Sequence, residues 1–129
     1  MFMKNETREQ KVGRFLKAAG KSPWDKDPNT YDVSHENNLR EEFNELDEAI
    51  YHYTENPNED TRANLCKEWA DAQVVLSNIA WYFQIPASVA FNRVHNNNMT
   101  KVVDGKVILR EDGKILKPEG YVKPDMRGI

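Results

Sequence analysis

Between Pro28 and Pro86 the chain contains one proline, Pro57, and no glycine. Two long stretches therefore flank a single breaker, "ENPNED" at 55–60. Proline ends helices, and both stretches repeat apolar residues at helical spacing. The first starts at Ser34, a good N-cap, and runs to about residue 54, with Leu39, Phe43, Leu46, Ile50 and Tyr53 on one face. The second spans roughly 60–84 and aligns Leu65, Trp69, Ala72, Leu76, Ile79 and Phe83. Its half "AQVVLSNIAWYF" is apolar around much of the helix, which predicts burial on several sides. Two helices joined by so short a break pack antiparallel.

Carboxylates crowd the edges of these stripes. "LREEFNELDEAI" holds five in twelve residues. Glu42 and Glu45 stand three apart, as do Glu68 and Asp71 in "KEWADAQ". Residues three apart lie one turn apart on the same face, and like charges so placed repel. Across an antiparallel pair the two doublets can face each other. Four converging carboxylates need compensation, and an all-oxygen set suits a hard divalent cation, chiefly Mg²⁺ or Mn²⁺. The bland alternative is a solvated acidic face, and the residues alone leave the two readings level. A di-iron bundle would use Glu-x-x-His, and none of His35, His52 and His95 follows a glutamate at that spacing.

The flanks complete an all-α reading. Asn5 is placed to cap a helix over about 6–19, with Val12, Phe15, Leu16 and Ala19 as its stripe and Gly20 as its stop. Residues 21–33, "KSPWDKDPNTYDV", form a loop in which Trp24 and Tyr31 are either core anchors or lids on a ligand. Pro86 opens a fourth, short helix to about 97. Two Asp-Gly pairs surround a β-rich run, which predicts a hairpin over 107–117 turning at Glu111–Gly113, then an extended end. The expected architecture is one domain over 1–129, a four-helix core through 104 with a hairpin and tail over 105–129.

Composition excludes other classes. A net charge of −3 gives no general attraction to a nucleic-acid polymer or a membrane surface. No apolar run is long enough to cross a bilayer, and "MFMKNETREQ" has no apolar core of a signal peptide. Cys66 is the single cysteine, so no internal disulfide forms and a cytoplasmic location is expected; a packing role for it outweighs a nucleophilic one.

Taken in order, "REEFNELDEAI" and "KEWADAQVVL" resemble the EExxE and ExxD motifs of the all-α nucleoside triphosphate pyrophosphohydrolases, the MazG-like superfamily that also holds dimeric dUTPases and phosphoribosyl-ATP pyrophosphohydrolases. Twenty-two residues separate Glu45 from Glu68, a spacing that superfamily tolerates. "VHNNNMTKVVDGKVILREDGKILKPEGYVKPD" is similar to the tail of small MazG-like proteins, and the resemblance spans about residues 10–125.

The resemblance implies a homodimeric or homotetrameric four-helix enzyme that cleaves a nucleoside triphosphate to the monophosphate and pyrophosphate with metal-activated water. It implies Glu42, Glu45, Glu68 and Asp71 as Mg²⁺ ligands, Glu41 as a metal-shell or water-orienting group, and Asn98 and Lys101 at the substrate phosphates. Lys101 would also act on the leaving side, with Arg93 as a weaker candidate there and Trp24 as the candidate for stacking on the base. The loop "SPWDKDPNTYD" matches no subgroup pattern and leaves the base open. Two alternatives stand beside this: a helical interaction or regulatory module without activity, and a phosphoribosyl-ATP pyrophosphohydrolase of histidine biosynthesis. The apolar third helix by itself also points to self-association.

Overall fold

A computed structural model describes residues 5–129. Four α-helices carry the fold: α1 (Arg8–Ala18), α2 (Ser34–Glu55), α3 (Glu59–Tyr82) and α4 (Ala87–Met99). The described residues contain no strand. The chain falls into two compact units, Met1–Gln84 and Ile85–Ile129, so α4 groups with the tail. No single helix among the described residues is long and apolar enough to cross a membrane.

Local chemistry sets the helix ends. Thr7 caps α1 in a reciprocal box with Gln10, so the cap expected at Asn5 falls two residues later. Gly20 takes φ +80° past the end of α1, and the Lys21 N–H donates to the Leu16 carbonyl, which closes the last turn. Ser34 is the first residue of α2 and not its cap. Its N–H donates to the Asp32 carboxylate two residues earlier, so Asp32 does the work expected of Ser34. After the break, Asn58 caps α3 in a second box with Thr61.

In the first unit, α1 and α2 both pack on α3. The rings of His35 and Tyr82 stack 4.3 Å apart, while Glu42 and Glu45 lie beside Glu68 and Asp71. That register makes α2 and α3 antiparallel, as expected. The buried face, however, is rotated from the apolar stripes. Buried positions are Gly13 and Leu16 on α1, His35 and Ala49 on α2, and Glu68, Ala72, Val75, Ser77, Ala80 and Tyr82 on α3. Phe15 is 74% exposed and Trp69 54%, and Phe43, Ile50, Leu76 and Phe83 are also exposed. The second half of α3 is nonetheless buried on several sides, as expected: Ala72, Val75, Ser77, Ala80 and Tyr82 are buried around the helix, and within 72–82 only Val74 and Leu76 are exposed. The helices meet in part through small side chains, which permit close approach; Leu16, His35, Val75 and Tyr82 are the larger buried residues, and several bulky stripe residues are left outside.

The loop between α1 and α2 is stitched to the end of α3. The Trp24 N–H donates to the Tyr82 carbonyl at 2.9 Å, and the Asp32 N–H donates to the Tyr82 hydroxyl at 2.8 Å. Lys21 pairs with Asp32 at 2.9 Å. Hydrogen bonds from Ser34 and Lys21 hold the Asp32 carboxyl well below its usual range. Burial pushes the His35 imidazole down, against the pull of Asp32.

In the second unit the expected hairpin shrinks to a turn. Gly113, at φ +89°, donates to the Arg110 carbonyl, and a lone antiparallel bridge joins Leu109 to Ile115. An isolated two-stranded ribbon is marginal, and Ile108, Leu109 and Ile115 are exposed, so no apolar face supports longer pairing. The extended end is instead tied to α4. Asn97 donates to the Val122 carbonyl at 2.7 Å and accepts from the Tyr121 hydroxyl at 2.6 Å.

The tight seam generates a test. A Cβ on Gly13 would lie 2.4 Å from Nε1 and 2.5 Å from Cδ1 of Trp81, a stiff ring and not a flexible chain end. Gly13→Ala gains roughly 0.5–1 kcal/mol of helix propensity but overpacks at a cost of about 1–3 kcal/mol. The expected outcome of thermal unfolding is a lower Tm; a raised Tm would show that α1 yields freely.

Candidate metal centre

The rotation that turns Trp69 outward turns Glu68 inward. Glu68 is 8% exposed, although charged residues are rarely buried unless paired. One carboxylate oxygen from each of Glu42, Glu45, Glu68 and Asp71 can be chosen so that all lie within 4.8 Å of one another. The structure thus brings together the four residues singled out as metal ligands. Two doublets at i, i+3 on antiparallel helices produce this convergence, because each doublet presents both acids to the same seam.

The electrostatics are strained in a specific way. The charge of Glu42, followed by the carboxyl of Glu68, pushes the Glu45 carboxyl up. Lys67 reaches into the cluster, with its ammonium 2.8 Å from Asp71 and 3.2 Å from Glu68, and the two acids push its pKa up. Sequence reasoning missed Lys67. The available signal was its i, i+4 relation to Asp71, which ordinarily reads as surface helix pairing. Oε2 of Glu42 and Oε2 of Glu68 are buried without any hydrogen-bond partner. A single ammonium therefore leaves two buried oxygens unanswered. An all-carboxylate donor set with orphaned oxygens fits a hard divalent cation such as Mg²⁺ or Mn²⁺.

The other candidates have different surroundings. Glu41 is exposed on α2 and lies outside the four-residue cluster. Trp24 is half-buried, donates from Nε1 to the Asp27 carbonyl at 2.9 Å, and meets Tyr31 and Phe83 edge to face. It lines an open cleft of about 370 Å³ with Lys21, Asp25, Thr30, Asp32 and Tyr82. In the second unit, Lys101 donates to the Asn98 side-chain oxygen at 3.1 Å, which brings those two together. Arg93 donates to the carbonyls of Asp125 and Arg127, so its guanidinium holds the tail. In the tail, Arg110 is paired with Asp112 at 2.5 Å.

No protein-family model matches the chain, and no curated protein matches it either.

Mutual repulsion predicts how the metal-free protein responds to pH. The folded state holds the Glu45 proton more tightly than the unfolded chain does. Its contribution is present below the ordinary glutamate range and is lost as pH rises through the elevated value. Glu45→Gln removes that loss. In chelator, the variant is expected to unfold at a Tm equal to or above wild type at pH 7, with the difference shrinking towards pH 4. A lower Tm at pH 7 would make Glu45 a structural partner and not a strained acid.

Proposed function

We propose that this protein is a divalent-metal-dependent hydrolase that splits a nucleoside triphosphate between its α and β phosphates, releasing the nucleoside monophosphate and pyrophosphate. The observation that carries the reading is the convergence of Glu42, Glu45, Glu68 and Asp71, two of them with buried, unpartnered oxygens. The order of the acidic motifs and the "NMTK" segment, which resemble the MazG-like pyrophosphohydrolases, supply the substrate class.

On this reading the four carboxylates hold the cation. When bound, Mg²⁺, or Mn²⁺ in its place, would screen phosphate charge and acidify an adjacent water. Lys67 would yield its place on Glu68 and Asp71, since one ammonium and a divalent ion compete for the same oxygens. Glu41 is left to orient the attacking water. Asn98 and Lys101 are assigned to phosphate oxygens, where a lysine acts as a point charge. The cleft beside Trp24 is the place this reading gives the base. Arg93 remains the weaker candidate in the phosphate set, because its Nη1 is already engaged by the tail carbonyls of Asp125 and Arg127. A single cysteine suits a cytoplasmic enzyme.

The competing reading is an inactive helical interaction module, favoured by the way Lys67 already answers two of the acids. A pyrophosphate-release assay over a panel of ribo- and deoxyribonucleoside triphosphates separates the two. The expected outcome is Mg²⁺-dependent release, abolished by chelator and reduced at least about 100-fold by Glu45→Gln or Asp71→Asn, with the helical circular dichroism retained. Folded variants that keep wild-type turnover would remove the carboxylates from the mechanism.

We further propose that the active form is a homo-oligomer. Phe15, Trp69, Val74 and Leu76 leave large apolar area uncovered on α1 and α3. Sedimentation at micromolar concentration is expected to give a dimer or larger, and Leu76→Glu to shift it towards monomer. A wild-type species at 15.0 kDa would overturn this.

A further inference from the structure

The end of α4 and the tail build a second charged feature. The Tyr121 ring is fixed from two sides: its hydroxyl donates to Asn97, and its N–H donates to the Pro118 carbonyl at 3.1 Å. Two ammonium groups lie over this one ring, Lys101 at 5.4 Å and Lys117 at 5.2 Å from the centroid. The negative face of an aromatic ring attracts a cation, so the ring aligns both. Among the described residues neither lysine has a carboxylate within ion-pair distance. The side-chain partner of Lys101 is the neutral oxygen of Asn98. The arginines of the same tail are answered differently, Arg110 by Asp112 and Arg127 by Asp125. An open cleft of about 240 Å³ beside the ring is lined by Thr100, Pro118, Glu119, Gly120, Tyr121 and Val122.

We propose that Lys101 and Lys117, aligned on Tyr121, form a two-cation polyphosphate subsite, which makes Lys117 a substrate-binding residue and Tyr121 the residue that positions it. Two like charges on one ring repel, and a bridging polyanion removes that repulsion while gaining both attractions. A chain of phosphates is the ligand chemistry that presents oxygens to two lysines at once. That the polyphosphate belongs to a nucleotide rests on the pyrophosphohydrolase reading; the subsite itself rests on the lysine geometry.

The test uses the full-length protein and inorganic tripolyphosphate as the probe, followed by isothermal titration calorimetry, with nucleotide turnover measured in parallel. Lys117→Gln is expected to weaken tripolyphosphate binding about tenfold, and Tyr121→Leu by a similar factor. Tyr121→Phe keeps the ring face and is expected to retain most of the affinity. For turnover, Lys117→Gln should raise KM by about the same factor with kcat within roughly twofold of wild type. Wild-type protein that does not bind tripolyphosphate, or Lys117→Gln protein that binds it as tightly as wild type, overturns the subsite even if nucleotide turnover is intact. Lys117-dependent binding in a protein that turns over no nucleotide sustains the subsite and overturns the pyrophosphohydrolase reading.

Discussion

Four carboxylates share one point on the α2–α3 seam, and the rest of the first unit is arranged around that fact. Two ionised groups 4 Å apart repel by about 4 kcal/mol at an effective dielectric near 20. Such a cluster persists only where something offsets it. Three offsets are visible: the elevated Glu45 carboxyl, the Lys67 ammonium, and the capacity of the unpartnered oxygens of Glu42 and Glu68 to accept a cation. The first two are partial. One lysine cannot neutralise four acids, and holding a proton on Glu45 weakens as pH rises. A seam that keeps this arrangement forgoes stability that apolar residues at the same positions would contribute.

The seam tolerates the acids because its neighbours are small. Ala49, Ala72, Ser77 and Ala80 are buried in this unit, and Gly13 admits the Trp81 indole. Close helix approach brings the doublets within reach of one another. The loop 21–33 then fixes the other end of the seam, through Tyr82 and the His35 stack. Ten or so ångströms separate His35 from Glu42 along α2, by seven residues of helical rise. The Trp24 cleft is lined by residues of the preceding loop and by Tyr82 at the end of α3, and the acid cluster lies further along the same helix pair.

Most of this was legible from spacing. The four helices, the single break at Pro57 and the grouping of Glu42, Glu45, Glu68 and Asp71 follow from periodicity and i, i+3 logic. What spacing concealed was rotation. A stripe of Trp69, Leu76 and Phe83 reads as core, yet the buried set beside it is Glu68, Val75 and Tyr82, one residue earlier in each case. A one-residue shift turns a helix by about 100°, and an apolar count cannot detect it where both faces carry apolar residues. Lys67 was hidden for a related reason, since its value depends on Glu68 pointing inward. The hairpin was overestimated because turn chemistry at Asp112–Gly113 is local, whereas strand pairing needs a partner face that the tail lacks.

The inverted arrangement, with acids inside and bulky apolar residues outside, has its own physical consequence. The buried apolar side chains among the described residues are Leu16, Ala49, Ala72, Val75, Ala80 and Tyr82, and three of these are alanine. Burial of a large aliphatic or aromatic side chain contributes about 1.5–3 kcal/mol, and an alanine contributes far less. So slight a core, joined to a repulsive acid cluster, leaves a lone chain with little to set against the conformational entropy of its helices. The missing apolar burial is available on the surface, at Phe15, Trp69, Val74 and Leu76. Self-association that covers these residues would supply the core that the carboxylate seam displaces. On that account the strained site and the exposed apolar faces are two sides of one solution: the seam is given over to charge, and the proposed contact between subunits would take over the hydrophobic driving force.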